Sequence, residues 1–91
     1  MSRSREDKIE FYQLVYLELA DSILRAKEYI KLKSSLSRSE RKRVEKNFSD
    51  IAKIAATNLV DNYTVGDNPN LSDAHIIEAF SLATLVYLGN G

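Results

Sequence analysis

A chain of 91 residues, 44% apolar and 29% charged, forms one domain whose core is large enough to fold but small enough to be marginal. It has no cysteine, which excludes disulfides and zinc–thiolate sites. Lys plus Arg and Asp plus Glu each number 13, so the net charge is zero and a purely electrostatic DNA coat is disfavoured.

The charge is nevertheless uneven. Residues 1–46 hold 12 basic against 8 acidic side chains, and residues 47–91 hold one against five. No apolar run approaches the roughly 18 residues of a membrane span. The first ten residues, "MSRSREDKIE", carry charge throughout and no signal-peptide core, so a cytoplasmic protein is expected, with no membrane contact.

Helical spacing starts at once. Ile9, Tyr12, Tyr16, Leu19, Ile23, Ala26 and Ile30 recur at alternating steps of three and four, along one stripe. Val15, Leu17, Ala20 and Leu24 widen it, and Glu10, Glu18, Asp21, Arg25 and Glu28 take the opposite face. The spacing predicts a first helix over about 5–33.

The second begins in "LSRSERKRVEKNF", residues 36–48. Ser37 and Glu40 have capping-box spacing, in which hydroxyl and carboxylate satisfy each other's backbone N–H. Val44, Phe48, Ile51, Ala52, Ala55, Leu59 and Tyr63 then make a buried face, predicting a helix over about 38–63. Its small residues Ala52, Ala55 and Ala56 allow another helix to approach closely.

The connector "VGDNPN", residues 65–70, reads as a turn: Gly66 tolerates positive φ, Asp67 and Asn68 favour Asx turns, and Pro69 turns Asn68 away from helix. Ser72 is the expected N-cap of a third helix over about 73–88, and Gly89 the expected C-cap. The fold class read from this pattern is all-α, a three-helix up-down-up bundle spanning residues 1–91, with two long helices and a shorter C-terminal one.

Two surfaces remain once that bundle is built. Lys42 and Lys46, with Lys53 two turns on, fall on the outer side of the second helix, flanked by Arg38 and Arg43, and Arg38, Arg41, Lys42 and Arg43 crowd its first two turns; Lys27, Lys31 and Lys33 reach the same corner from the first helix. Either this is a solvated face, or it contacts phosphates or carboxylates. No aromatic is interleaved to stack bases, and no short second helix suggests a helix-turn-helix reader.

The other surface is "AHIIEAFSLATLVYLGNG". Ile76, Phe80, Ala83 and Tyr87 form its inner face, but Leu82, Leu85, Val86 and Leu88 leave its second half apolar nearly all round. Phe11 and Leu14 project from the charged side of the first helix, and Val60 from that of the second. A contiguous apolar patch of this kind marks a partner surface or self-association, unless tilted packing buries it.

Catalytic signatures are absent. His75, the one histidine, stands in the first turn of the third helix as a cap-region residue, with no second ligand to suggest a metal. Asp67, Asn68 and Asn70 do not follow calcium-loop spacing, and no phosphate-binding glycine loop occurs. The expectation is a non-enzyme with no cofactor.

The combination of "MSRSREDKIEFYQLVYLELA", the basic "SRSERKRVEK" and the apolar "SLATLVYL" in one small cysteine-free chain resembles the small helical proteins of thermophilic archaea and their viruses. Within that group the chain is similar to the accessory subunits that accompany archaeal family-B DNA polymerases. The resemblance implies a non-catalytic subunit docked on a larger protein, a DNA polymerase, with the basic corner near DNA; it carries over no individual residue. A protein that binds nucleic acid on its own, or a viral or plasmid inhibitor of a host complex, stands as the alternative.

Overall fold

The structure is a computed structural model that describes residues 4–65, 68–69 and 71–90. It is all-helical apart from one two-residue bridge, and measures 45 × 24 × 20 Å. The order is α1 (Arg5–Glu18), α2 (Ala20–Arg25), α3 (Lys27–Lys33), α4 (Arg38–Lys46), α5 (Phe48–Tyr63), β1 (Thr64–Val65), β2 (Asn68–Pro69) and α6 (Asp73–Asn90). Three uninterrupted helices were expected; six helical segments are found among the described residues.

The breaks have identifiable geometry. At Leu19 the backbone departs only slightly (φ −95°, ψ 11°), and the helical bonding runs through, with Leu19 N–H to the Val15 carbonyl at 3.0 Å and Ile23 N–H to the Leu19 carbonyl at 2.9 Å. At Ala26 the chain is extended (φ −62°, ψ 137°). Its N–H closes back on Ile23 at 3.1 Å, and its carbonyl opens α3 by accepting from Ile30 at 2.8 Å. One residue leaves the helical phase, so the stripe slips. Tyr29 becomes fully buried and Ile30, expected inside, is 48% exposed. Asn47 makes the third break: its backbone N–H and its side-chain Nδ2 both donate to the Arg43 carbonyl, at 3.0 and 2.8 Å. A side-chain amide competing for a helical carbonyl is a known local irritant of helices.

The capping box is formed. Glu40 N–H donates to the Ser37 hydroxyl at 3.2 Å, and the Ser37 N–H donates to the Glu40 carboxylate at 2.8 Å. Ser4 caps α1 by accepting from the Asp7 N–H at 3.1 Å. Ser72 caps α6: its hydroxyl accepts from the His75 N–H at 3.3 Å, while His75 Nδ1 accepts from the Ser72 N–H at 3.4 Å. An imidazole here takes the place usually held by a Glu or Gln. Its ring also stacks on Tyr63, centroids 4.7 Å apart. The α6 helix continues through Gly89 to Asn90, so Gly89 lies within the helix and is not its C-cap.

α1 and α6 both pack on α5, and α3 packs on α6. The seam is thin because Ala52, Ala55, Ala56, Ala79 and Ala83 are all buried, letting backbones approach. At its centre Phe80 is fully buried, with ring centroids 4.7 Å from Phe48, 5.4 Å from Tyr29 and 5.6 Å from Tyr16. Val60, expected on the outer side, is buried with Ile9 and Ala56 because α1 lies over that end of α5. β1 and β2 pair antiparallel, Thr64 opposite Pro69 and Val65 opposite Asn68. The expected turn residues Gly66, Asp67 and Asn70 lie outside the described residues.

Candidate partner surface and basic corner

The apolar side of α6 is set by its register against the core. Ala79, Phe80, Ala83 and Thr84 face inward, and successive residues turn by about 100°. Leu82, Leu85 and Val86 are thereby left on the opposite side, 46, 49 and 48% exposed. Leu88, expected beside them, is half-buried and packs on the core. Phe11 and Leu14 are exposed on α1, as expected, and Leu17 and Leu19 join them. Helical spacing puts those last two in the apolar stripe of the first helix, and the structure turns both outward.

A groove of about 370 Å³ runs between α3 and α6, lined by Leu32, Ile77, Leu82 and Leu85 with Glu28, Ala74, Glu78 and Ser81. Its α3 wall exists because of the slip at Ala26. On an unbroken helix Glu28 belongs to the face opposite the core; after the break it stands beside α6.

The basic set divides into three groups. Arg38, Arg41, Lys42 and Lys46 are exposed on α4, and Arg38, Lys42 and Lys46 take part in no ion pair among the described residues. Arg41 Nε donates to the Leu36 carbonyl at 3.3 Å, which ties it to the turn. Arg43 is half-buried with its guanidinium 5.7 Å from the centre of the Tyr87 ring, a cation–π contact that commits it to holding α4 on α6. Lys53 lines a separate groove between α1 and α5, with Arg5, Glu6, Ile9, Glu10, Gln13 and Thr57. At the end of the first hairpin arm, Lys31 and Lys33 occupy the last turn of α3, where the helix dipole favours cations.

The titrating groups support structure. The Glu40 carboxyl is held below its ordinary value, first by the Ser37 backbone N–H and then by the Ser37 hydroxyl. Hydrogen bonding to Arg5 lowers Asp61 likewise, and Arg5 is raised in turn, across an exposed two-pronged contact of 2.8 and 2.9 Å. Burial pushes the phenols of Tyr16 and Tyr29 up, so both keep their protons. Tyr16 donates its proton to the Ile76 carbonyl at 2.7 Å. Thr84 spends its own on the Phe80 carbonyl at 2.9 Å, so Tyr29 is the donor in its 3.4 Å contact with the Thr84 hydroxyl.

Among the described residues no three His, Cys, Asp or Glu gather to hold a metal ion, and no helix is long and apolar enough to cross a membrane. No protein-family model, curated protein or solved structure matches the chain.

Proposed function

We propose that this chain is a non-catalytic accessory or adaptor subunit of a cytoplasmic assembly, whose six helical segments work as a three-helix up-down-up bundle. It binds a larger protein through the outer face of α6. The observation that carries this reading is the exposure of Leu82, Leu85 and Val86 along one helix whose other face is fully committed to the core.

Complete burial of such a side chain is worth about 1.5–3 kcal/mol, so covering the exposed halves of these three contributes about 2–4 kcal/mol. That is too little to offset the cost of association alone. Phe11 and Leu14, or charge on the basic corner, must add to it. The resemblance to accessory subunits of archaeal family-B DNA polymerases points to a polymerase or another nucleic-acid machine as the partner, with Lys42 and Lys46 supplying electrostatic steering. An inhibitor of a host complex would use the same docking chemistry.

The test compares proteins retained from source-cell extract by the immobilised wild type and by Leu85→Gln, identified by mass. Loss of a specific large protein from the variant supports the docking face. Equal retention by both means that Leu85 is not part of an interface.

A second reading, autonomous nucleic-acid binding, is favoured by the absence of ion pairs at Arg38, Lys42 and Lys46 among the described residues. Phosphate-driven binding falls steeply with salt. A duplex shift at low salt that disappears when Lys42 and Lys46 become Gln would support it; no shift for the wild type removes it.

A further inference from the structure

The groove between α3 and α6 combines an apolar floor with unpaired acid. Leu32, Ile77, Leu82 and Leu85 supply the floor, while Glu28 on α3 and Glu78 on α6 supply one carboxylate from each wall. Neither carboxylate makes a hydrogen bond or ion pair among the described residues. Both side chains are exposed, so each offers an incoming cation a surface carboxylate whose pull is screened by salt. Along α6 the groove runs from Ala74 to Leu85, which at about 1.5 Å per residue is about 16 Å, or three turns of a docked helix.

We propose that this groove receives a basic amphipathic helix of the partner protein. That helix presents Leu-like anchors at i, i+3 or i+4, and i+7, flanked by Lys or Arg that pair with Glu28 and Glu78. Apolar anchors at that spacing in a helical groove are a recurrent mode of peptide recognition, and the charges select the partner. A second copy of this chain is the wrong occupant. On its first arm the exposed Phe11, Leu14 and Leu17 are interspersed with Glu10, Glu18 and Asp21, which would meet Glu28 and Glu78 with like charge; its α6, with Leu82, Leu85 and Val86 exposed, carries Asp73 and Glu78 and no Lys or Arg; and its α3 sets a single exposed anchor, Ile30, among Lys27, Lys31 and Lys33, too few for a three-turn groove. Its basic helix α4 turns its apolar residue, Val44, into the core.

The inference rests on the docking role of α6 and adds the chemistry of what docks. It is tested by fluorescence anisotropy of the full-length protein with two labelled synthetic helical peptides. One carries Leu anchors flanked by Lys; the other has the same anchors flanked by Glu. The wild type is expected to bind the Lys peptide at least about tenfold more tightly than the Glu peptide, and Glu28→Lys/Glu78→Lys to reverse that preference. Circular dichroism of the double variant verifies its fold, and Glu28→Gln/Glu78→Gln, which should lower the preference without reversing it, serves if the reversal variant is unfolded. Equal binding of the two peptides, or a preference untouched by the charge changes, overturns the inference. So does a concentration-dependent dimer that blocks both peptides. If partner retention depends on Leu85 but survives the Glu28 and Glu78 changes, this inference falls and the docking role stands; if it does not depend on Leu85, both fall.

Discussion

The two faces of α6 should respond to substitution in opposite ways, and the contrast can be measured. Phe80→Leu keeps most of the buried volume but removes a ring that meets Phe48, Tyr29 and Tyr16 at 4.7, 5.4 and 5.6 Å. Each aromatic pair is worth about 0.5–1.5 kcal/mol beyond area burial, and pairs sharing one ring are not fully additive, so a loss of about 2–3 kcal/mol is expected. For a domain of 91 residues the whole stability is about 5–14 kcal/mol. At about 4–8 °C per kcal/mol for domains of this size, the Tm should fall by about 10–20 °C. Leu85→Gln, at a half-exposed position and with a residue of nearly equal helix propensity, should stay within about 0.5 kcal/mol of wild type. The assay is urea unfolding followed by far-ultraviolet circular dichroism, with the slope checked to be unchanged so that midpoints can be compared. If Phe80→Leu loses under about 1 kcal/mol, the aromatic cluster does not carry the core; if Leu85→Gln loses the ~2–3 kcal/mol expected of Phe80→Leu, the outer leucines are structural and the docking face has no basis.

Four further outcomes follow from the same geometry. Thr84→Val strands the Tyr29 hydroxyl and should destabilise by about 1 kcal/mol, the low end for an orphaned buried donor because the contact is long at 3.4 Å; adding Tyr29→Phe should recover part of that in urea unfolding. Ser37→Ala removes the hydroxyl half of the capping box, leaving the N–H of residue 37 to donate to the Glu40 carboxylate, and should lower stability by about 1 kcal/mol in the same assay. Because Glu40 is depressed below its ordinary 4.5, its contribution is fully present above that value and is lost as pH falls through the folded value; urea midpoints taken across that range should drop more for wild type than for Glu40→Gln. Gly89→Ala meets nothing within 4 Å and lies in a helix, so it should raise the Tm, by up to about 1 kcal/mol of stability; a fall would mean that the end of α6 is not helical in solution.

Local rules carried the sequence reading where local chemistry decides. The Ser37 and Ser72 caps and the buried faces around Ile51 and Phe80 all follow from spacing, since hydrogen-bond reach and helical period are fixed within a few residues. The exposed Leu82, Leu85 and Val86 were legible for the same reason: a helix apolar nearly all round cannot bury every side. Ala26 was not legible. "RAKEYI" contains no Gly or Pro, and Ala is the best helix former, so nothing local marks the extended backbone there; what accompanies it is tertiary, the contact of Tyr29 with Phe80 and Thr84 of α6. Misreading that one residue displaced Ile30 and hid Glu28 from the groove. Val60 was misplaced because its cover, Ile9, comes from another helix, and Arg43 was counted with the basic corner because its partner Tyr87 is distant in sequence.

The bend at Ala26 also bears on the order in which the molecule assembles. Severed from the remainder, residues 5–33 would wind straight through Ala26, following their local preference and placing Ile30 on the apolar side. The bent form is favoured only once Tyr29 meets Phe80 and Thr84, the latter 55 positions further on. A contact of that separation closes late, because so long a loop must first be drawn together. The native shape of the first arm therefore goes with a contact that residues 5–33 do not themselves contain, and a peptide of those residues alone is expected to lack it. The conflict between local winding and final shape is a site of built-in frustration, relieved by the last helix to arrive.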